Sequence, residues 1–570
     1  MSQATVIFAC VHNAGRSQMA AALFNLAADP ERARAVSAGT APGARVHPEV
    51  VVAMRELGVD LADITPQRLT DELAAGATML VTMGCGDACP AVPGAARDDW
   101  PLEDPKGKPI ERVREIRDDV SQRVAGLVSA RGWARVGGPV AARDARAALL
   151  ATLLDDTTKA LPRAHAPIRL RDVGDAGWGV LREDLLLPVA VLKRSALDNN
   201  ARWMQAFLAG TGALLAPHGK TTMCPQLFWQ QLDAGAWAIT VATVSQLQVC
   251  RHFGFNRLVL ANQIVGRQAV ETVVAELRKD SAFELVSLAD SEAAVRALAV
   301  AARSAGLTRP VELMVEVGFA GGRTGCRTRE AALALARIIA AEPALALRGI
   351  EGFEGLIHSD DHARDEAQVC ALLDDLVAVA RACADERLFA PGPVLLSAGG
   401  SAYYDLVIER LSNSGVPGAR VVLRSGCYLT HDAGAYAGAY RSLRARSVAA
   451  ARVPGELLPA LEVWCVVQSR PEPTRAILSV GKRDLSSDMD LPVVLWRSRA
   501  GGAPTPLAQH PVVELNDQHA HVRVPPDSDL AVGDLVGLGI SHPCTTFDKW
   551  RTLFVVDDSY GVTGAVRTFF

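Results

Sequence analysis

Several short stretches of the chain carry residue types that could do chemistry. In Pro217-His218-Gly219-Lys220-Thr221 a lysine follows an apolar run, 213–216, and precedes a helix-like run with Leu227, Phe228 and Leu232. A partly buried lysine loses ammonium solvation, its pKa falls, and the free amine can form a Schiff base. A surface lysine in a turn is the other reading of these five residues alone. Near the N-terminus, Cys10-Val11-His12-Asn13-Ala14-Gly15-Arg16-Ser17 lies between the apolar run 5–9 and a helical run through Met19, Leu23 and Leu26. Strand, glycine-containing loop and helix aim backbone N–H groups at an anion. Those donors hold a cysteine as thiolate, and Arg16 can grip two oxygens in a fork. This is a site for attacking a tetrahedral oxyanion.

Other stretches add to these. After the run 79–82 comes Met83-Gly84-Cys85-Gly86-Asp87-Ala88-Cys89-Pro90, with two more thiols on one loop. A structural metal pair is the alternative there, although no second cysteine pair completes a zinc site. Asp98-Asp99-Trp100-Pro101-Leu102-Glu103-Asp104-Pro105 offers Asp104 as a general acid, or as the cap of a turn. Near the C-terminus, Ser541-His542-Pro543-Cys544-Thr545 sets imidazole and thiolate two residues apart, a spacing that can bind one zinc ion.

These groups need elements to position them. Apolar runs at 213–217, 238–242, 257–261, 284–288, 311–317, 348–355, 393–397 and 420–423 alternate with amphipathic, helix-like runs, clearest at 292–302 and 367–384. Eight strands separated by helices is the arithmetic of a (β/α)8 barrel. Lys220 then ends the first strand, on the face where barrel chemistry sits. Glycine-rich stretches follow the fifth strand (318–325), the seventh (397–401) and the eighth (424–432). Two late glycine loops opposite a first-strand lysine suit pyridoxal 5'-phosphate. Each loop taken singly could simply turn the chain. Beyond 440, short runs at 461–467, 476–480, 512–515 and 521–524 predict a β-rich closing domain.

Composition narrows the class. The chain has 570 residues, 49% hydrophobic and 21% charged, enough for several cores. A net charge of -4 gives no broad basic surface and argues against nucleic acid as a partner. No run approaches the ~18 apolar residues of a membrane span, and no cleavable leader opens the chain, so the expectation is cytoplasmic. Most of the eleven cysteines stand singly among apolar residues, as reduced buried thiols do.

With its three motifs in order, the first region resembles the arsenate reductases built on the low-molecular-weight tyrosine phosphatase fold. The resemblance implies that Cys10 attacks arsenate, Arg16 binds the oxyanion and Asp104 protonates the departing oxygen. Cys89 and Cys85 would resolve the oxidised intermediate by thiol exchange. Gly15 stands where thioredoxin-linked members carry another cysteine, so a low-molecular-weight thiol and a redoxin both stay open as reductant. A phosphatase is the alternative, but Lys106-Gly107-Lys108 replaces the aromatic that would stack on phosphotyrosine.

Residues from about 178 to 570 resemble the fold-type III pyridoxal phosphate enzymes of the D-serine dehydratase and D-threonine aldolase group. That resemblance implies that Lys220 is the Schiff-base lysine and the base at Cα. It sets Gly399, Gly400, Gly426 and Tyr428 at the phosphate and Arg323 beside the cofactor ring, with His218 a weaker candidate. The dehydratases of the group carry His and Cys where the aldolases carry His and Asp, so His542 and Cys544 point to zinc and to loss of a β-hydroxyl. Barrels of this group usually pair, which implies a homodimer.

The expected architecture is α/β throughout: a small parallel-sheet, phosphatase-like domain (1–135), a linker with one helix (136–175), a pyridoxal phosphate barrel (176–440) and a β domain with the metal pair (441–570). The expected function is a fusion of a thiol-dependent arsenate reductase with a dehydratase acting on D-serine or a related D-β-hydroxy amino acid. Aldolase or racemase chemistry in the barrel, or a cofactor carrier joined to a redox-sensing thiol module, are the rivals.

Overall fold

The computed structural model describes residues 3–30, 32–56, 59–84, 94–133, 139–359 and 361–570. The chain forms two compact units, the first built mainly on residues 1–147 and the second mainly on 148–570.

The first unit is organised by strand β1 (Ala4–Cys10), whose seven residues are nearly all buried. Strands β2 (Ala33–Gly39), β3 (Met79–Thr82) and β4 (Ala96–Asp99) complete a parallel sheet in the order β2-β1-β3-β4. Parallel strands with both faces covered read as continuous apolar runs, which is why β1 and β3 stand out in the sequence. On one face Phe8 packs with Phe24 and Trp100. Helix α1 (Arg16–Ala27) covers that face and starts six residues after Cys10. Cys10 therefore ends the central strand and the helix N-terminus rises beside it.

The second unit contains an eight-stranded parallel sheet, from Leu214–Leu215 through Ile239–Val241, Arg257–Gln263, Glu284–Ala289, Val311–Val317, Leu345–Gly352 and Val394–Ala398 to Ala419–Leu423. Each strand pairs with the next from the second onward, and the eighth returns to the first. The first and second strands meet through a bridge from His218 to Thr240, backbone bonds such as Thr240 N–H to the Pro217 carbonyl at 2.9 Å, and the Thr240 hydroxyl donating to the Ala216 carbonyl at 2.6 Å. The barrel thus closes at the residues that flank Lys220. Its interior is filled by Ala216, Val259, Val286, Leu288, Met314, Leu395 and Val422.

The closing domain is a mostly antiparallel ten-stranded sheet around the long strand Leu461–Glu472. Val189–Lys193, inside the range expected for the barrel, pairs here instead, with Leu461–Glu472 and with Thr552–Val556. The stretch read as a tether is also more structured than expected. Leu153–Leu154 pairs with Ile168–Arg169, and Lys159 forms an ion pair with buried Asp484 at 2.8 Å while lying over the Trp550 ring. A basic side chain that finds a buried carboxylate and an aromatic face fixes the chain around it. Among the described residues no helix is long and apolar enough to cross a membrane.

One buried group carries a pH dependence. His431, 4% exposed in the loop after the eighth strand, has its pKa pushed down to about 4 by burial, with Arg441 adding to the effect. The folded state therefore binds fewer protons than the unfolded state below pH 6.5. Stability present above 6.5 should fall by about 3 kcal/mol as pH drops toward 4. Denaturant titrations at pH 7 and 4.5 should show His431→Gln losing less stability than the wild type.

Candidate active sites

In the first unit the loop after β1 wraps around the Cys10 sulfur. The Asn13 N–H donates to Cys10 Sγ at 3.2 Å, and Sγ is hydrogen-bonded to Ser17 Oγ at 3.0 Å. Asn13 holds a left-handed φ of 48° and is braced by Gln18 and by the Gln67 N–H. Gly39 lies against this turn so closely that a Cβ there would come within 2.7 Å of the Val11 carbonyl oxygen and 2.8 Å of the Asn13 nitrogen. Arg16, the first residue of α1, pairs with Asp104 at 2.8 Å and donates to the Leu102 carbonyl at 3.1 Å. Cys10, Arg16 and Asp104 are thus brought to one loop end. An arriving oxyanion would compete with Asp104 for the guanidinium. Cys85 and Cys89 lie outside the described residues.

In the second unit Lys220 stands on a short turn, Gly219–Thr221, directly after the first barrel strand. Burial lowers its pKa, with Arg323 and Arg424 acting in the same direction and Cys544 and Cys427 against it. His218 is held neutral by burial and by the same cations, and its Nδ1 is buried without a hydrogen-bond partner. Arg323 lies over the Phe353 ring at 5.0 Å. Fully buried Glu351 forms an ion pair with Arg424, yet burial still pushes its pKa up to about 8.

The glycine loops meet as close backbone neighbours. A Cβ on Gly426 would stand 2.6 Å from the His218 carbonyl oxygen and 2.7 Å from Thr221 Oγ1, so only glycine lets the eighth-strand loop approach the lysine turn. The Gly399 and Gly400 N–H groups already donate to an oxyanion, the buried Glu354 carboxylate, at 3.0 and 2.7 Å. Sequence reasoning missed Glu354, because its partners lie some 45 residues away on another strand end. Tyr428 is buried and hydrogen-bonded to Gln231, and burial raises its pKa.

The strand Leu535–Gly539 delivers the third cluster. His542 Nδ1 is 2.6 Å from Asp488 Oδ2, and Thr545 Oγ1 donates to the other oxygen at 2.7 Å. The loop carrying Asp488 is pinned by Ser486, whose N–H donates to Thr546 Oγ1 and whose hydroxyl donates to the His542 carbonyl. Burial opposes a charge on His542, but Cys544 and Asp488 outweigh it and raise its pKa to about 9. Cys544 is held well below the usual thiol range, chiefly by a hydrogen bond from Cys427 and also by His542. Its sulfur lies 3.8 Å from Cys427 Sγ and 3.5 Å from Thr221 Oγ1, so the cluster adjoins the lysine turn. Asp488 and Cys427 were not singled out from sequence. The only hint of Asp488 is an acidic loop, Asp484 to Asp490, in a β-rich region.

Similarity to known proteins divides the chain in the same way. Residues 5–135 match the family "Low molecular weight phosphotyrosine protein phosphatase", 192–405 match "Alanine racemase, N-terminal domain", and 460–556 match "Putative serine dehydratase domain". A Halobacterium salinarum protein named "Putative arsenate reductase" is 41% identical over 128 residues, covering 21% of this chain and 87% of its own. The D-threonine aldolase of an Arthrobacter species is 27% identical over 381 residues, covering 65% and 89%. The solved structure of D-threo-3-hydroxyaspartate dehydratase from Delftia sp. HT23 covers 69% of this chain and 99% of its own at 21% identity, with a TM-score of 0.54. Structures of that dehydratase include a histidine-to-alanine variant and a metal-free variant lacking a cysteine two positions further on. The chain is thus a fusion of an arsenate reductase-like region with a D-threonine aldolase and D-hydroxyaspartate dehydratase-like region.

Proposed function

The chain belongs, through residues 5–135, to the low molecular weight phosphotyrosine protein phosphatase family, and we propose that it joins an arsenate reductase to a pyridoxal phosphate- and zinc-dependent dehydratase of a D-β-hydroxy amino acid such as D-serine. The observation that carries the dehydratase is the contact between the lysine turn and the His-x-Cys strand end: burial-weakened Lys220 is followed by Thr221, whose hydroxyl meets the Cys544 thiol at 3.5 Å.

The residues suit both groups. Lys220 would attach the cofactor, and the unpartnered Nδ1 of His218 and the close-packed Gly426 turn line the same corner. The Gly399 and Gly400 amides hold the Glu354 carboxylate, which a cofactor phosphate taking these donors would have to displace. His542 and Cys544 would hold zinc. The Asp488 carboxylate on Nδ1 leaves Nε2 as the ligand nitrogen, the arrangement in which outer carboxylates orient metal-bound histidines. The same His-x-Cys spacing recurs in the dehydratase variants, which supports loss of a β-hydroxyl over carbon–carbon cleavage.

Bound pyridoxal phosphate supplies an electron sink for the pair released at Cα, and zinc supplies a Lewis acid for the departing hydroxyl. The chain's own work is to hold the Lys220 amine where it can take the Cα proton. Burial by the barrel mouth keeps that amine unprotonated at lower pH than in water. Net reaction converts D-serine to pyruvate and ammonia. In the first unit Cys10 would attack arsenate, Arg16 would hold its oxygens and Asp104 would protonate the leaving oxygen. Two reducing equivalents from thiols would yield arsenite, water and a disulfide, with Cys89 or Cys85 as the resolving thiol.

The test is keto acid and ammonia release from D-serine and D-threonine with pyridoxal phosphate, before and after zinc chelation. Glycine and an aldehyde as sole products would establish the aldolase reading instead. Asp488→Asn should lower zinc affinity roughly 10–100-fold, measured by competition with a chromogenic chelator. Unchanged affinity would mean that the carboxylate does not orient the ligand.

A further inference from the structure

Catalytic zinc sites ordinarily use three protein ligands and keep one position open, two thiolates with one imidazole being one such set. His542 and Cys544 supply two. Among the described residues no three His, Cys, Asp or Glu side chains are yet gathered closely enough to hold a metal ion, so a third ligand has to draw in from the edge of the pair. Cys427 Sγ is 3.8 Å from Cys544 Sγ. Two sulfurs bound to one zinc at about 2.3 Å and the tetrahedral angle stand roughly 3.8 Å apart. The Thr221 hydroxyl lies 3.9 Å from one sulfur and 3.5 Å from the other. Cys544 is also in hydrogen-bond contact with His542.

We propose that Cys427 is a third protein ligand of the zinc site, completing a set with His542 and Cys544 and leaving one position for the substrate's β-oxygen. The inference rests on the zinc-dependent reading above and deepens it. Cys427 lies in the glycine loop after the eighth barrel strand, whereas His542 and Cys544 lie in the closing domain. The metal therefore ties the loop beside Lys220 to that domain. On binding, the ion would take the place of the Cys427 thiol proton and of the ring proton on the ligating nitrogen of His542, and both leave to solvent. A second thiolate makes the site softer, favouring zinc or cobalt(II) over manganese or magnesium. It also neutralises the ion, so the metal is held tightly and polarises the hydroxyl less than a one-thiolate site would.

Cobalt(II) titration of the reduced full chain tests this, because each thiolate ligand adds near-ultraviolet charge-transfer absorbance. Cys10, Cys85 and Cys89 are replaced by serine so that thiols of the other unit do not compete. The expected result is a band that Cys427→Ser and Cys544→Ser each reduce by about half and that the double variant abolishes. Cys427→Ser should also weaken zinc binding by more than about a hundredfold, beyond the loss expected for an outer carboxylate. Near-ultraviolet circular dichroism checks that the variants fold, and Cys427→His supplies a second, ligand-preserving replacement that should recover zinc affinity but not the lost absorbance. A band unchanged in Cys427→Ser but lost in Cys544→Ser overturns the third ligand and leaves the two-ligand site standing. No band in any form overturns both.

Discussion

Replacing Lys220 by alanine will lower keto acid and ammonia release from D-serine by at least about 10^4-fold, because one side chain is asked both to attach the cofactor and to move the Cα proton. The variant should fold, since Lys220 sits on a turn whose packing is supplied by its neighbours. Thr221 is 2% exposed, and Gly219 packs on Phe228 and Ile239. Two readouts separate attachment from general damage. Protein-bound pyridoxal phosphate should lose the long-wavelength absorbance that covalent linkage gives, while arsenate reduction by the other unit stays within a factor of about two. Lys220→Arg should behave like the alanine variant, because guanidinium stays protonated and cannot serve as the free amine. Retained turnover in Lys220→Ala would place the chemistry elsewhere, and His218, neutral beside the same corner, would be the next residue to replace.

What the sequence discloses about these sites follows from how local each feature is. The barrel strands are legible because strands buried on both faces are largely apolar, and the fifth strand coincides with its expected run, 311–317, in spite of Glu312 and Glu316. Val189–Lys193 has the same pattern, but only its hydrogen-bonding partners, some 270 and 360 residues further on, assign it to the closing sheet. The loop 397–401 announces amide donors through its glycines, yet not their occupant, since the Glu354 carboxylate arrives from another strand end. His542 and Cys544 are visible because they lie two residues apart. Asp488, 54 residues before His542, and Cys427, 117 before Cys544, act on them through space and leave no periodic or spacing signal. The contacts within the expected linker, 136–175, are hidden for a related reason. Lys159 looks like an ordinary solvated charge until the fold sets buried Asp484 and the Trp550 ring beside it.

Cys10→Ser is the corresponding test of the first unit and should abolish thiol-dependent arsenate reduction, by at least about 10^4-fold. The hydroxyl is isosteric enough to keep the loop, whose shape depends on Asn13, Ser17 and Gln18 as well as on the sulfur. It is, however, a far weaker nucleophile than a cysteine sulfur. Asp104→Asn should cost less, roughly 10^2–10^4-fold, as expected of a proton donor whose place water can take in part. It also removes the carboxylate that holds Arg16 at 2.8 Å. Arsenate affinity should therefore rise as turnover falls, a split between KM and kcat that a purely structural aspartate would not produce. Comparing a low-molecular-weight thiol with a thioredoxin-type protein as reductant then fixes the donor. Hydrolysis of an aryl phosphate without arsenate reduction would instead make this unit a phosphatase. In that case Arg16 and Cys10 keep their roles, and the thiols at Cys85 and Cys89 lose theirs.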